Sequence, residues 1–454
     1  MGNIRNAAVK LVVVIAGIGG CSSGGGDNPP PLVSPSFTSQ PSNQTVYSGG
    51  MGTFSIVVNG NPAPSVVWQR SNDNGATWAT INGATSTSYS LTVAPTDTGA
   101  KFRALATNSQ GSLLSTPATL TEVPAVYAGG IVDVTNPYPG YWLNGTWVPL
   151  SSSEGFVYAL LVSGNTILAA GQTSSDTFGI PPAYWLNGTQ FALAMPSGYS
   201  NGLIRSLAVS GSDIYLAGAV DQPGVAGAAP GYWLNGTWNG LPTPLGSVVA
   251  WILSLAVSGA DVYAAGWKVS NGFALPGYWF NGTWVDLPPP SGSVGGIVES
   301  IVVSGSDVYT AGYAYTSGSS DNAGSPGYWL NGSWVGLALP TGQTEGTIHS
   351  LVVSGTDVYA AGFSRNANAI IPGYWLNGAW VGLTAPFGFD GGEITSLVLS
   401  GGKVYAAGYS GTMPSPAIFF SSTIPGYWVD GVWNALPTPP GTGFNYVNSL
   451  AVIP

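Results

Sequence analysis

Residue types that commonly carry catalysis or cross-links are scarce in this 454-residue chain, which contains one histidine and one cysteine. A single cysteine cannot form a disulfide within the chain, so packing alone has to hold the fold together. A histidine-dependent triad or zinc site would rest on His349 alone, and the sequence has no Gly-x-Ser-x-Gly, His-Glu-x-x-His or glycine-rich phosphate loop. We therefore expect no metal and no cofactor.

Charge is also scarce, and most of it has one sign. Only 6% of the residues are charged, and the formal net charge is −10. An acidic surface disfavours the phosphate backbone of nucleic acids, so we expect no nucleic-acid partner. Long helical periodicity is absent beyond the N-terminus, whereas glycine (67 residues), proline (35) and aromatic residues (12%) are abundant. This composition predicts an all-β protein.

The N-terminus has the pattern of an exported lipoprotein. Residues 1–20 carry two basic residues and then an apolar run, which is shorter than the ~20 residues that a membrane-spanning helix needs. The run ends in Ile-Gly-Gly-Cys21, which resembles a bacterial lipobox. The resemblance implies cleavage before Cys21, its lipidation and, with Ser22 next, transfer to the outer membrane. The Gly-, Ser- and Pro-rich residues 21–36 then predict a tether.

Residues 37–123 have the spacing of a β-sandwich. A Gly-x-Pro-x-Pro run before Trp68 and an Asp-x-Gly-x-x-Phe run from Asp97 resemble an immunoglobulin-like domain of bacterial surface proteins. The core cysteines of that family fall on Ile56 and Ala104, so the resemblance implies a sandwich without its disulfide.

Residues 124–454 consist of imperfect copies of one unit, which is clearest from Ser254 to Pro288. Each copy has four short runs able to form strands, with Ser-Gly-x-Asp joining two of them and Asn-Gly the other two. These turn signals predict a four-stranded antiparallel sheet. The tryptophan of a recurring Tyr-Trp pair marks seven copies, at Trp142, Trp185, Trp233, Trp279, Trp329, Trp375 and Trp428. Four-stranded units at this period predict a seven-bladed β-propeller.

The phase of the repeat predicts how the ring closes. The first copy starts at its second strand, near Val126, and the chain ends with an extra first strand at residues 449–452. We therefore expect the N- and C-terminal strands to pair and close the propeller. The VYxAG and YWxNG runs resemble those of uncharacterised bacterial extracellular proteins, and this resemblance implies no activity.

Several recurring side chains have a structural and a functional interpretation. Tyr278, Trp279 and Trp284 and their equivalents predict packing between blades, with sugar-stacking platforms as the alternative. One hairpin position carries a recurring aspartate, which we interpret as a turn residue and not as a metal ligand. Its examples are Asp213, Asp261, Asp307 and Asp357.

One repeat position varies widely in chemistry, namely the residue before the Ser-Leu pair of each first strand or its equivalent. We predict that these side chains ring the mouth of the central channel, with Arg205, Glu299 and His349 contributing polar ligand contacts. The full set is Tyr158, Arg205, Leu253, Glu299, His349, Thr395 and Asn448.

The sequence as a whole predicts a binding or adhesion module with a protein or glycan ligand. By the lipobox resemblance, it would be lipid-anchored in the bacterial cell envelope, at the outer membrane or cell surface. A carbohydrate-active enzyme or lectin remains an alternative, because four carboxylates in or near variable loops could converge as a catalytic pair. These are Glu299, Asp321, Glu345 and Glu393. A structural envelope protein with no polar site is the third alternative.

Overall fold

A computed structural model describes residues 30–132, 137–173, 181–221, 227–247, 249–316, 323–412, 420, 422–438 and 445–454. The predicted signal peptide, Cys21 and Asp321 lie outside these residues. Within them the protein is all-β, with a single 3-10 turn at Pro95–Asp97 and no α-helix. The described chain accordingly has no helix with the length and hydropathy needed to cross a membrane.

The chain divides into two compact units. The first consists of the described residues up to Gln44, together with Thr53–Leu91 and Gly99–Leu120. The second consists of Thr45–Gly52, Thr92–Thr98 and Thr121–Pro454.

Ten strands precede the repeats. They are β1 (Val33–Ser39), β2 (Gln44–Tyr47), β3 (Met51–Ser55), β4 (Val57–Asn61), β5 (Ser65–Ser71), β6 (Ala79–Thr80), β7 (Ser88–Thr92), β8 (Lys101–Asn108), β9 (Gly111–Leu114) and β10 (Ala118–Val123). β1 pairs with β4 and β3 with β7, while β2, β10, β8, β5 and β6 follow one another in a third sheet with β9 along β8. Trp68 and Ala104 are completely buried.

The predicted tether is too long at its C-terminal end, because β1 begins at Val33, inside residues 21–36. Val33 pairs with Asn61 of β4. Prolines are compatible with a strand that has a free edge, and β1 pairs with one neighbour only. The proline content of this stretch therefore did not exclude a strand.

The repeats form seven four-stranded antiparallel sheets, and in six of them the strands follow one another in sequence order. The first sheet contains β11 (Ala125–Val132), β12 (Tyr138–Leu143) and β13 (Thr146–Pro149); the second β14 (Gly155–Ser163), β15 (Thr166–Thr173), β16 (Pro182–Leu186) and β17 (Thr189–Ala192); the third β18 (Asn201–Ser210), β19 (Asp213–Asp221), β20 (Ala228–Leu234) and β21 (Thr237–Gly240). The fourth contains β22 (Val249–Ser258), β23 (Asp261–Ser270), β24 (Phe273–Phe280) and β25 (Thr283–Asp286); the fifth β26 (Gly295–Ser304), β27 (Asp307–Tyr315), β28 (Ser325–Leu330) and β29 (Ser333–Gly336). The sixth contains β30 (Glu345–Ser354), β31 (Asp357–Asn366), β32 (Ala369–Leu376) and β33 (Ala379–Gly382); the seventh β34 (Gly391–Ser400), β35 (Lys403–Thr412), β36 (Ser422–Val429) and β37 (Val432–Ala435).

The last strand, β38 (Tyr446–Ile453), completes the first sheet. It pairs antiparallel with β11, from Ala125 opposite Ile453 to Ile131 opposite Tyr446. The repeat phase predicted this pairing of the two ends of the repeat region.

The Asn-Gly turns are built as the sequence predicted. In the fourth sheet Asn281 and Gly282 have φ values of 48° and 85°, as in the type I′ turn that joins twisted strands. The Asn281 side-chain oxygen accepts a hydrogen bond from Val262 N–H at 2.9 Å, and its amide donates to Asp261 at 2.8 Å. The recurring aspartate is therefore a turn residue.

Apolar cores lie between consecutive sheets of the second unit. The core between the fourth and fifth sheets contains Ala265, Val298 and Trp329, and an equivalent core between the seventh and first contains Tyr405 and Trp142. The tryptophan of every Tyr-Trp pair is at most 1% exposed. These seven rings are packing residues and offer no surface to a sugar.

Two hydrogen bonds recur between neighbouring sheets. The buried Trp329 Nε1–H donates to the carbonyl of Pro288 in the preceding sheet at 2.8 Å. A serine hydroxyl of one first strand accepts from a leucine or isoleucine N–H of the next, as Ser254 does from Ile301 at 3.1 Å. Both bonds also join the seventh sheet to the first.

Candidate functional site

The seven predicted site residues share one structural position. Each is the extra residue of a β-bulge in the first strand of its sheet, because the register shifts by one between its two neighbours. A bulge leaves the extra residue out of the ladder and redirects its side chain. We call this set the bulge row: Tyr158, Arg205, Leu253, Glu299, His349, Thr395 and Asn448.

A glycine on the second strand makes each bulge possible. A Cβ on Gly218 would overlap the carbonyl oxygen of Leu203, which lies two residues before Arg205. The same overlap would arise in all seven sheets. The glycine of each VYxAG run is therefore required by the bulge, and it indirectly fixes the position of the bulge residue.

The bulge row lies within the strands and not at their starts, which corrects the sequence-based placement. β22 begins at Val249, four residues before Leu253, and β26 begins at Gly295, four residues before Glu299. The bulge shifts by one residue the alternation of side chains between the two faces of the sheet. The residues before the bulge are therefore out of phase with the Ser-Leu run that follows it, and the sequence pattern did not assign them to the same strand.

Arg205 interacts with two other members of the bulge row. The Arg205 guanidinium lies 4.6 Å from the centre of the Tyr158 ring, within cation–π range. The ring of Tyr158 also stacks on Phe156, with centroids 5.8 Å apart and planes 6° from parallel. Burial raises the pKa of Glu299 to about 7, and the positive charge of Arg205 opposes this shift.

Two further members are bound to backbone of neighbouring sheets. The Thr395 hydroxyl lies 2.7 Å from the carbonyl oxygen of Val447, and the Asn448 amide donates to the carbonyl of Val157 at 2.7 Å. These side chains join the seventh, first and second sheets.

His349 faces a carboxylate of the next sheet. Its Nε2 lies 3.9 Å from a carboxylate oxygen of Glu393, too far for a hydrogen bond. Burial lowers the pKa of His349 to about 4, so its imidazole is neutral at pH 7. Burial also raises the pKa of Glu393, although a hydrogen bond from Tyr409 and the charge of Arg365 oppose that shift.

The carboxylates named as a possible catalytic pair are strand residues, not loop residues, where they are described. Glu345 forms an ion pair of 3.0 Å with Arg365, and Glu393 is hydrogen-bonded to Tyr409. Burial raises the pKa of Glu299 against the opposing effect of the positive charge of Arg205. Within the described residues no three His, Cys, Asp or Glu side chains are grouped so that they could hold a metal ion.

Sequence reasoning missed the polar partners of the bulge row on neighbouring strands. Tyr409 lies opposite Glu393 in the β34–β35 register. The centre of its ring is 4.7 Å from the centre of the Tyr446 ring in the first sheet. The available signal was the residue two places before each bulge, which also varies between copies. That position is Phe156, Leu203, Trp251, Ile297, Thr347, Glu393 and Tyr446.

Comparisons with known proteins cover parts of the chain. A family model described as a domain of unknown function, DUF8696, matches residues 38–124. A stretch of 96 residues is 35% identical to Endoglucanase C of Cellulomonas fimi. It represents 21% of this chain and 8% of the endoglucanase, so the chain spans less than a tenth of that relative.

Two solved structures give similarly limited likenesses. A titin domain is 25% identical, covers 20% of this chain and 97% of its own, and has a TM-score of 0.16. A DUF4784 family protein from Bacteroides caccae covers 92% of this chain and 98% of its own, with 9% identity and a TM-score of 0.30.

Proposed function

We propose that this chain is a lipid-anchored binding or adhesion protein of the bacterial cell envelope. In this proposal an immunoglobulin-like sandwich precedes a closed seven-bladed β-propeller, and the bulge row of the propeller binds the ligand.

Contacts around the second unit support the closed ring. Each first strand contacts the first strand of the next sheet, from β14 and β18 through to β34 and β38, and β38 contacts β14. The two inter-sheet hydrogen bonds and a buried core recur where the seventh sheet meets the first. Contacts of this kind are the ones expected if each sheet packs its faces against its two neighbours in a closed propeller.

The observation that carries the binding proposal is the chemical variety of the bulge row. The glycine opposite the bulge and the core tryptophan are the same residue type in all seven sheets. The bulge position instead holds aromatic, cationic, acidic, aliphatic and amide side chains at equivalent points of seven sheets. A rigid scaffold with one variable set of side chains is the usual design of a binding site.

Ligand binding is tested with the triple variant Arg205→Ala, Glu299→Ala, His349→Ala on a glycan array and on purified envelope components. We expect the variant to lose binding while its melting temperature and circular dichroism stay close to those of the parent. The matched control is Asp213→Asn, Asp261→Asn, Asp307→Asn, which changes three hairpin turns and should bind normally. Equal binding by the parent and a folded bulge variant would exclude this site.

The lipid anchor is tested by Cys21→Ser. The variant should leave the membrane fraction, because a single lipidated cysteine is the proposed attachment. Retention of the variant in salt-washed membranes would contradict the anchor and leave the binding proposal standing.

A glycan ligand is the more specific candidate. The name of the Cellulomonas fimi relative, an endoglucanase, favours glycan over protein, although the shared segment is only 96 residues long. A carbohydrate-active enzyme is a less favoured candidate, because two of the four candidate carboxylates are bound to Arg365 or Tyr409. Release of reducing sugar from a bound glycan would support the enzyme. A chain that binds nothing would support the structural alternative.

A further inference from the structure

We propose that Arg205, Tyr158 and Glu299 form a carboxylate-binding site, at which a ligand carboxylate sits on the guanidinium and accepts a hydrogen bond from the Glu299 side chain. The inference rests on the proposed binding function and adds the chemical class of the ligand. The carboxylate could belong to an acidic sugar or to a small organic acid, and the test separates these sources.

Arg205 is placed to receive an anion. Its side chain is exposed, and its guanidinium carbon lies 4.6 Å from the centre of the Tyr158 ring. Phe156, on the same strand, stacks on the Tyr158 ring. A guanidinium fixed on an aromatic face keeps its N–H groups for bidentate binding of a carboxylate.

Glu299 supplies a hydrogen-bond donor when its side chain is protonated. Because burial raises its pKa to about 7, about half of the Glu299 side chains are protonated at pH 7. A protonated carboxyl group donates through its O–H, whereas an ionised one would repel a ligand anion. The group therefore combines one cation with one conditional donor in a chain of net charge −10.

The charge balance favours a carboxylate over a phosphate. A carboxylate carries one negative charge, which Arg205 neutralises. A phosphate monoester carries nearly two at pH 7, and Arg205 would leave the second without a cationic partner. The available donors match the two oxygens of a carboxylate.

Other charged groups on the strands packed around β26 are already engaged. Lys268 forms an ion pair of 2.6 Å with Asp286, and Glu345 is paired with Arg365. His349 is neutral above pH 6 because its pKa is about 4. The recurring aspartates of β23 and β27 accept hydrogen bonds in their turns. Burial thus raises the pKa of Glu299, and the positive charge of Arg205 opposes that rise.

The test measures binding by calorimetry to four probes: galacturonate, its methyl ester, succinate and inorganic phosphate. Galacturonate should bind at least tenfold more tightly than its ester, which lacks the negative charge. Stronger binding of succinate than of galacturonate would assign the carboxylate to a small organic acid. Binding should weaken about tenfold from pH 6 to pH 8, because the protonated fraction of Glu299 falls from about nine-tenths to one-tenth.

Three variants separate the roles. Arg205→Gln should lose at least tenfold in affinity at every pH. Glu299→Gln keeps a neutral donor at all pH values, so it should bind at pH 8 as the parent does at pH 6, without pH dependence. Asp261→Asn in the neighbouring hairpin is the control and should behave like the parent.

Equal binding of galacturonate and its ester, or tighter binding of phosphate, would overturn the carboxylate class. Failure of all four probes would overturn it as well. The proposed function would survive each of these outcomes if the glycan array or envelope components still separated the parent from the triple variant. It would fail only if that separation were also lost.

Discussion

In six of the seven repeat sheets, the short last strand carries a tryptophan whose ring covers a glycine of the adjacent strand. We call this short last strand of each repeat sheet its outer strand (β13, β17, β21, β25, β29, β33 and β37). In the fifth sheet the tryptophan and the glycine are Trp334 and Gly327, and a Cβ on the glycine would overlap the indole. The second sheet has Gln190 and Ala183 instead. Its outer strand is exposed at every residue, whereas the outer strands of the other sheets bury their middle two residues in part.

The second sheet also differs where it meets its neighbours. Trp185 is completely buried, yet its Nε1–H has no acceptor among the described residues, whereas the six equivalent tryptophans donate to a carbonyl of the preceding sheet. Ala159 replaces the serine that accepts an N–H from the following sheet. Each boundary of the second sheet thus lacks one of the two recurring hydrogen bonds.

The comparison separates the features that the fold requires from those that it tolerates losing. The second sheet keeps its buried tryptophan, its bulge and the glycine opposite the bulge. It has lost the outer tryptophan together with the small residue that accommodated it. The loss of both indicates that the outer Trp–Gly pair is one packing unit, since a glycine without the indole over it costs backbone entropy.

The largest effect is expected at a core tryptophan. Trp329→Ala should lower the free energy of unfolding by about 3 to 5 kcal/mol, because the side chain is completely buried between two sheets. Trp185→Ala should lower it by a similar amount if the second sheet is weak only at its edge. Chemical denaturation measures both. A loss below about 1 kcal/mol would mean that the ring is not core.

A double-mutant cycle tests the Trp–Gly unit. Gly327→Ala should cost about 1 to 3 kcal/mol, because the added methyl group meets the Trp334 ring and the carbonyl oxygen of Val335. Trp334→Gln in the same chain should relieve the overlap with the ring, since the double variant copies the second sheet. The coupling energy should reach at least about 1 kcal/mol. Additive losses would show that the two residues are independent.

Substituting a core tryptophan by phenylalanine measures how much its indole hydrogen bond contributes to the free energy of unfolding. Trp329→Phe removes the bond to the carbonyl of Pro288, whereas Trp185→Phe breaks no such bond among the described residues. The loss in unfolding free energy should therefore be about 1 kcal/mol greater at Trp329 than at Trp185. The ring volume removed is the same, so equal losses would contradict a stabilising role for this bond.

Local turn chemistry and repeat phase made much of this fold predictable. Asn-Gly pairs such as Asn281–Gly282 dictated the outer hairpins, and the extra strand near residue 449 predicted the pairing with β11. The starts of the first strands were not predictable in this way. The bulge at Leu253 breaks the alternation, and β1 at Val33 was concealed by prolines that an edge strand tolerates.

The candidate site was predicted as a set of equivalent positions but not as a set of contacts. Variation between copies identified Arg205 and Glu299, because a packing position would repeat one residue type. Their mutual influence depends on how far two side chains extend past Leu253 in the intervening sheet. The contacts of Glu393 with Tyr409 depend similarly on strand register. A repeat pattern in the sequence gives neither the reach of a side chain nor the register between two strands.

The smallest effect is expected from restoring the missing serine of the second sheet. In the third sheet Ser206 accepts a hydrogen bond from the N–H of Leu255 in the fourth sheet at 3.0 Å. Ala159→Ser places a hydroxyl at the equivalent position of the second sheet, where the N–H of Leu207 in the third sheet would be its donor. The expected gain in unfolding free energy is about 1 kcal/mol. Ser254→Ala, which removes the bond to Ile301, should lose a similar amount and serves as the matched control. A neutral Ala159→Ser beside a destabilising Ser254→Ala would show that the boundary between the second and third sheets has a different local geometry. Two neutral variants would show that the serine bonds follow from the packing of the sheets and add no stability of their own.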